Sequence, residues 1–265
     1  MPILKGLEWT FDTIASAYEK RNAGYVDELY GTLFDYIPIN AGSKVIEIGS
    51  GSGQATAPVL NTGCTLTAIE YGTNFCNILK DKFSEYKNFS VINSKFEDTE
   101  LRQGAFDLIF SASAFHWIPE EIGYQKVFSM LKSGGAFARF ANHPFRSQEN
   151  PALSEKIDEL YARYYYPFHN KKPEKLKAYT EQQAKDRAMI AAKYGFEDIR
   201  YALFYRKRVF SAKEYVAVMG TYSDHIVIED SIRNEFFSEV EKAIDALGGT
   251  IVIADTIDLQ LARKP

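Results

Sequence analysis

The first part of the chain alternates between short apolar runs and segments with helical periodicity. The apolar runs are rich in β-branched and aromatic residues, which is typical of buried strands. They lie at residues 45–48, 64–70, 89–94, 105–111 and 136–141. Apolar residues that recur every three or four positions predict helices between them, at residues 54–60, 73–86 and 119–132. This alternation predicts a parallel sheet with helices on both faces.

The pattern changes after Pro144, because residues 149–194 carry no strand signal. We expect one helix from Asn150 to Tyr164 and another from Pro173 to Tyr194, with Gly195 at its C-terminal end. Two further strands are predicted at residues 196–205 and 250–261, and two further helices at residues 210–220 and 228–247. A polar loop is expected at residues 221–225, and an N-terminal helical pair at residues 8–37.

These elements together predict an α/β fold with a doubly wound, mostly parallel, seven-stranded sheet of Rossmann-like type. N-terminal helices precede the sheet, and a helical cap is inserted at about residues 145–195. The sequence contains no internal repeat, low-complexity tract or linker, so a single domain is expected over residues 1–265.

A glycine turn follows the first predicted strand, with Gly49, Gly51 and Gly53 at alternating positions. Glycine permits unusual backbone angles and lets a ligand approach the main chain closely. A dinucleotide site requires G-x-G-x-x-G, and a phosphate loop requires a lysine that does not follow Gly53. The spacing therefore disfavours both, although a tight turn without any ligand also fits this stretch.

Two carboxylates flank this turn in the predicted fold. Glu47 lies within the first strand, and Glu70 ends the second strand, 17 residues beyond Gly53. An acidic residue at the end of the second strand of a doubly wound sheet accepts hydrogen bonds from ribose hydroxyls. The alternative for Glu70 is an ordinary surface residue.

Composition and charge narrow the function classes. The 265 residues are 46% hydrophobic and 25% charged, as in an ordinary soluble globular protein. A net charge of −4 argues against non-specific nucleic-acid binding. Cys64 and Cys76 lack metal-ligand spacing, and no signal peptide or membrane-spanning run is evident. We therefore expect a cytoplasmic protein without a metal, a membrane or a nucleic-acid partner.

Five features resemble the class I S-adenosylmethionine (SAM)-dependent methyltransferases. One is Glu70. Another is Phe96 with Glu97, which the resemblance places at the adenine ring and its amine, with Asp98 as an alternative for the polar role. Glu47 followed by G-x-G-x-G is similar to motif I of that family. The strand at 105–111, with its exit through His116 and Trp117, is similar to motif IV of the small-molecule branch. The turn at Gly134 and Gly135 also matches in place. The resemblance covers residues 8–142 and looks closest to the trans-aconitate and ubiquinone/menaquinone type enzymes.

The resemblance implies a cofactor, a product and a set of site residues. The cofactor is SAM, the product is S-adenosylhomocysteine (SAH), and no metal is required. The expected cofactor-binding residues are Tyr18, Glu47, Gly49, Ser50, Gly51, Gly53, Glu70, Tyr71, Phe96, Glu97, Ser111 and Ala112. The expected substrate-binding residues are Trp117, His143, Tyr165, Tyr222 and His225.

His116 is the candidate general base, since it is predicted at the mouth of the sheet and histidine suits proton transfer. Its alternative role is that of a hydrogen-bonded wall residue. A base is needed only if the methyl acceptor is a hydroxyl or a protonated amine.

The expected reaction is methyl transfer to an O, N or C atom of an unidentified small molecule. A nucleic-acid amino methyltransferase would carry Asn/Asp-Pro-Pro-Tyr/Phe where residues 111–114 stand. A non-catalytic SAM-binding regulator and, less favoured, a nicotinamide-dependent oxidoreductase stay open. Four basic residues either attract an acidic substrate or belong to a solvated surface: Arg163, Arg206, Lys207 and Arg208.

Overall fold

The computed structural model describes residues 10–13, 15, 19, 24–174 and 176–265. Its central feature is one seven-stranded sheet with the strand order β3-β2-β1-β4-β5-β7-β6. The strands are β1 Lys44–Ile48, β2 Thr65–Glu70, β3 Phe89–Asn93, β4 Phe106–Ala112, β5 Leu131–Arg146, β6 Glu197–Ser211 and β7 Thr250–Arg263. Neighbouring strands from β3 through β5 pair in parallel. The predicted α/β fold with a mostly parallel seven-stranded sheet is confirmed.

Eight longer helices accompany the sheet in the described part of the chain. They are α1 Asp27–Tyr36, α2 Thr56–Leu60, α3 Thr73–Lys82, α4 Glu120–Met130, α5 Pro151–Leu160, α6 Glu181–Met189, α7 Ala212–Met219 and α8 Asp230–Ala246. Shorter helical turns lie at Thr10–Thr13, Phe115–Trp117, Tyr161–Tyr165, Tyr166–Phe168, Ile190–Tyr194 and Ser223–Ile226.

Side chains of β1 alternate between two buried clusters, as expected for a strand covered on both faces. Val45 contributes to a cluster with helices α1, α2 and α3. Ile46 and Ile48 contribute to the opposite cluster, which contains residues of α4. Both faces of the sheet are therefore apolar around β1, and the carboxyl end of that strand leads into the glycine turn.

The chain divides into two compact units. The first comprises residues 143–178 and 205–256 with the described residues of the N-terminal segment, and it has its own apolar cluster. The second comprises residues 23–142, 179–204 and 257–265. Strands β5, β6 and β7 each contribute residues to both units. The single-domain organisation and the helical cap at about residues 145–195 stay predictions.

Four element predictions are corrected by the structure. Strand β5 runs from Leu131 to Arg146, so it includes Gly134 and Gly135, where a turn was expected. The helix expected from Pro173 begins only at Glu181, because Thr180 and Gln183 form a capping box there. Strand β6 extends to Ser211 instead of residue 205. The polar loop at 221–225 contains the helical turn Ser223–Ile226. Most of the first predicted N-terminal helix lies outside the described residues.

Membrane-spanning helices were sought among the described residues. None of their helices has both the length and the apolar composition that a bilayer span requires.

Candidate active site

The glycine turn after β1 adopts a backbone that other residues rarely take. Gly49, Gly51 and Gly53 have φ angles of +68°, +54° and +82°. A Cβ atom on Gly49 would overlap the Cβ of Ala114, and one on Gly53 would lie 2.6 Å from the Phe83 ring. The alternating glycines are thus required both by left-handed angles and by the close approach of neighbouring segments.

Glu70 holds this turn from the end of β2. Its Oε2 accepts a hydrogen bond from the Gly51 N–H at 2.8 Å, and its Oε1 accepts one from the Gly72 N–H at 2.8 Å. The side chain is buried, so the alternative of an ordinary surface glutamate is wrong. A carboxylate at this position is an acceptor of the kind that a ligand hydroxyl requires.

Glu47 is fully buried beneath the turn with half of its carboxylate unsatisfied. The Thr56 hydroxyl donates to Oε2 at 2.6 Å, while Oε1 has no hydrogen-bond partner among the described residues. Burial raises the pKa of Glu47 to about 8, although the bond from Thr56 acts in the opposite direction. Unpaired buried oxygens cost free energy, so this position is suited to a ligand that brings a donor or a positive charge.

Two more buried hydroxyls near the turn have no hydrogen-bond partner among the described residues. They belong to Ser50, within the turn, and to Tyr30 on α1. Burial is the main cause that raises the pKa of Tyr30, and the neighbouring Tyr25 and Glu47 add to it. Tyr30 was not predicted as a site residue, because its spacing on α1 is that of an ordinary core position.

The exit from β4 brings further polar groups to the carboxyl edge of the sheet. The Ser111 hydroxyl donates to the Ile48 carbonyl at 2.8 Å, and Ala112 pairs with Phe140 of β5. Ser113 has a φ of +54°, and its hydroxyl lies 2.8 Å from that of Tyr25.

The next polar group along this edge is Asn142. Its N–H donates to the Ser113 hydroxyl at 3.4 Å, and its buried Oδ1 has no hydrogen-bond partner among the described residues. Sequence patterns do not single out Ser113 or Asn142, whose positions depend on the pairing of β4 and β5.

The predicted base and its neighbour lie in the turn that follows this exit. His116 is exposed, Trp117 is partly buried, and their ring centroids are 5.0 Å apart. The exposed imidazole is accessible to solvent. Its role as a base stays a prediction.

The remaining residues predicted to bind the cofactor differ in exposure. Phe96 is buried in the core cluster on the α4 side, with Lys126 Nζ 5.2 Å from its ring centroid. The Glu97 carbonyl accepts from Lys126 Nζ at 2.8 Å. Tyr71 is 47% exposed, and Lys95 Nζ lies 5.0 Å from its ring centroid. Tyr18 lies outside the described residues.

Three predicted substrate residues come together in the interior of the first unit. His225 is fully buried, with Asp224 Oδ1 at 2.8 Å from Nδ1 and the Tyr161 hydroxyl at 3.0 Å from Nε2. The Tyr165 hydroxyl donates to Asp224 Oδ2 at 2.6 Å, and the Tyr222 and His225 ring centroids are 5.5 Å apart.

This network fixes the charge state of Asp224. Burial alone would raise the pKa of Asp224, but hydrogen bonds from His225 and Tyr165 lower it to about 2. His143 belongs to the same unit, while Trp117 belongs to the second. Substrate contact by these residues stays a prediction.

The four basic residues considered for an acidic substrate already have carboxylate partners. Arg206 and Arg208 both pair with the buried Asp255, at 3.0 and 2.6 Å. The exposed residues Lys207 and Arg163 pair with Glu149 and Glu235, respectively. In addition, the described residues contain no group of three or more His, Cys, Asp or Glu side chains placed to hold a metal.

Comparisons with known proteins agree with this architecture. Residues 46–138 match the model of a methyltransferase domain family. An uncharacterized methyltransferase from Schizosaccharomyces pombe is 22% identical over 241 residues, which cover 90% of this chain and 88% of the relative.

Two solved structures are similar in fold. A candidate type II methyltransferase from Anaeromyxobacter dehalogenans has a TM-score of 0.65 at 15% identity, covering 91% of this chain and 97% of that one. Phosphoethanolamine N-methyltransferase 2 from Haemonchus contortus, in complex with SAM, has a TM-score of 0.55 at 17% identity. That match covers all of this chain and 61% of the other. The fold, the domain match over residues 46–138 and the relative together support a class I SAM-dependent methyltransferase.

Proposed function

We propose that this enzyme transfers the methyl group of SAM to an O, N or C atom of a small molecule. The observation that carries the proposal is the glycine turn with its two glutamates. Glu70 accepts a hydrogen bond from the Gly51 N–H in this turn, and Glu47 lies beneath the turn with one carboxylate oxygen unpaired. The turn supplies close backbone approach, and the two glutamates supply acceptors. Neighbours that bind SAM or SAH, such as the Haemonchus contortus enzyme, support the cofactor assignment.

The residues around the turn fit the polar ends of this cofactor. Glu47 Oε1 suits the ammonium group of the methionine moiety, since an opposite charge relieves the cost of the buried carboxylate. Glu70 suits the ribose hydroxyls, because it places a carboxylate acceptor at the end of β2, beside the glycine turn. When bound, SAM supplies an activated methyl group on a sulfonium.

The protein's contribution to the transfer is alignment and exclusion of water. Ser111 ties β4 to β1 through the Ile48 carbonyl, which fixes the sheet edge where the methyl group and its acceptor would meet. Ser113 and Asn142 present polar atoms at the same edge, and they are candidates for orienting the acceptor. His116 is the proposed base for acceptors that must lose a proton.

Glu70→Gln tests the cofactor site. The amide keeps the shape but replaces one acceptor oxygen with a donor, so either the Gly51 or the Gly72 N–H loses its partner. We expect SAM and SAH affinity to fall by about tenfold or more in isothermal titration, which is the loss of one to two charge-assisted hydrogen bonds.

Glu85→Gln, on the exposed surface of the same unit, is the control and should bind normally. If titration with NADH released or absorbed heat while titration with SAM and SAH did not, the proposed cofactor would be contradicted.

The class of acceptor is proposed on charge. A net charge of −4 disfavours the phosphate backbone, so we propose that the acceptor is not nucleic acid. A homocysteine-release assay over a small-molecule panel, with RNA and DNA as comparison substrates, tests this. Turnover confined to nucleic acid would contradict it. We also propose that the enzyme works in the cytoplasm, because the free thiols of Cys64 and Cys76 suit a reducing compartment.

A further inference from the structure

Arg139 on β5 places a positive charge inside the second unit. Its Nε donates to Gln260 Oε1 at 2.6 Å, and its Nη1 donates to the Tyr124 hydroxyl at 2.9 Å. The guanidinium lies 5.7 Å from the ring centroids of both Phe115 and Tyr124. All three partners are neutral, so no carboxylate forms an ion pair with Arg139 among the described residues.

A second guanidinium lies nearby on α6. Arg187 Nη1 is 3.5 Å from Asp258 Oδ2 on β7, and Asp258 is fully buried. The same carboxylate accepts hydrogen bonds from the Tyr179 hydroxyl at 2.8 Å and from the Ala141 N–H at 3.0 Å. Its acceptor sites are therefore shared among several donors.

Among the described residues, the cluster has more positive than negative charges. Asp258 pairs with Arg187, while Arg139 has no carboxylate within ion-pair distance. Burial is the main cause that lowers the pKa of Arg139, and the proximity of Arg187 acts in the same direction. A guanidinium stays protonated in proteins, so the lowered pKa reflects mainly the free-energy cost of burying the Arg139 charge. An anion bound beside Arg139 would offset that cost.

The cluster lies at the edge of the sheet where ligands of doubly wound folds bind. Arg139 pairs in register with Ser111, at the carboxyl end of β4. Asp258 accepts from Ala141, which immediately precedes Asn142 with its unpaired Oδ1. Phe115, beneath the Arg139 guanidinium, is followed directly by His116 and Trp117.

We propose that Arg139 and Arg187 form an oxyanion subsite, so that the methyl acceptor is a small molecule with a carboxylate or phosphate group. The assignment of that ligand as the acceptor rests on the proposed function. The guanidinium fork is suited to both groups through paired N–H donors. Arg139 orients the anion from the sheet, and Arg187 completes the subsite from α6.

The test measures oxyanion binding to the SAH-saturated protein by calorimetry at constant ionic strength. The probes are citrate, benzoate and inorganic phosphate, with benzamide as the neutral analogue of benzoate. We expect at least one oxyanion to bind and benzamide not to bind. Carboxylate probes binding without phosphate would assign an organic acid, and the reverse would assign a phosphate ester.

Arg187→Gln should lower the affinity for the probe that binds by at least about tenfold, which corresponds to the loss of one charge-assisted hydrogen bond. Arg187→Lys should restore part of the affinity, because it keeps the charge. Lys185→Gln, on the exposed face of the same helix, removes an equal charge and should change nothing.

SAH affinity, measured separately, should be the same in all four proteins. The proposal is overturned if none of the oxyanions binds, or if Arg187→Gln and Lys185→Gln bind the probe equally. Absence of SAH binding would instead contradict the proposed function. The oxyanion titrations of the ligand-free protein would then still decide whether the subsite exists.

Discussion

At the scale of single residues, Glu47 combines complete burial with one unpaired carboxylate oxygen. Its pKa is about 8 in the folded protein, above the value of about 4.3 for an exposed glutamate. Because the folded state favours the protonated form, this group's contribution to stability is complete below about pH 4.3. It is lost as the pH rises through about 8.

Glu47→Gln isolates that contribution, since an amide does not titrate. We expect the wild-type protein to lose free energy of unfolding relative to the variant between pH 5 and 8, by up to about 1.4 kcal/mol per pH unit. Urea denaturation at three pH values measures it. Glu85→Gln should follow the wild-type protein, and parallel profiles for wild type and Glu47→Gln would contradict the prediction.

Sequence spacing was sufficient to select some residues and not others. Glu47 and Glu70 are identified because their positions relative to the glycines are fixed by local chain geometry. Arg139 and Tyr30 are not identified, because each sits in an ordinary strand or helix pattern. Their importance depends on unpaired atoms and charges that only the tertiary contacts create.

At the scale of elements, β6 and β7 are joined by a buried ion cluster. Asp255 is fully buried and pairs with Arg206 and Arg208, whose side chains are 21% and 15% exposed. On the same strand as the arginines, Lys207 pairs with Glu149 at the exposed surface. The Asp255 cluster is therefore buried, whereas the Lys207–Glu149 pair is exposed.

Asp255→Asn should destabilise the protein by about 3–5 kcal/mol, because it leaves two partly buried guanidiniums without their carboxylate. Glu149→Gln breaks the surface pair and should cost less than about 1 kcal/mol. Denaturant unfolding of both variants gives the comparison. Equal losses would show that the buried cluster does not depend on the Asp255 charge.

Elements with strong periodicity were predictable from sequence, and those governed by tertiary contacts were not. Strands β1 to β4 fall within a residue or two of the predicted ranges, because each is a short run rich in β-branched or aromatic residues. The predicted length of strand β6 was too short. Its exposed face carries the apolar residues Tyr205 and Val209, and its other face carries arginines, so the usual alternation of buried apolar and exposed polar residues is missing. Residues 171–174 and 176–180 are not helical, and the Thr180 cap marks the true start of α6.

At the scale of the whole molecule, cofactor binding should appear as added stability. A ligand that binds only the folded protein raises the free energy of unfolding by about 2.7 kcal/mol at a hundredfold excess over its Kd. We expect SAH to raise the thermal midpoint accordingly, and NAD at the same concentration to leave it unchanged. A midpoint that does not respond to SAH would contradict cofactor binding by the folded chain.

Three of the boundaries between the two units fall inside strands. They cut β5 after Asn142, β6 after Phe204 and β7 after Thr256. A laboratory chimera that exchanged the first unit for that of a relative would therefore be spliced within hydrogen-bonded ladders. A one-residue error at any junction would turn every following side chain to the opposite face. Natural divergence of this unit is expected to proceed by substitution within a fixed strand register, with insertions confined to its turns.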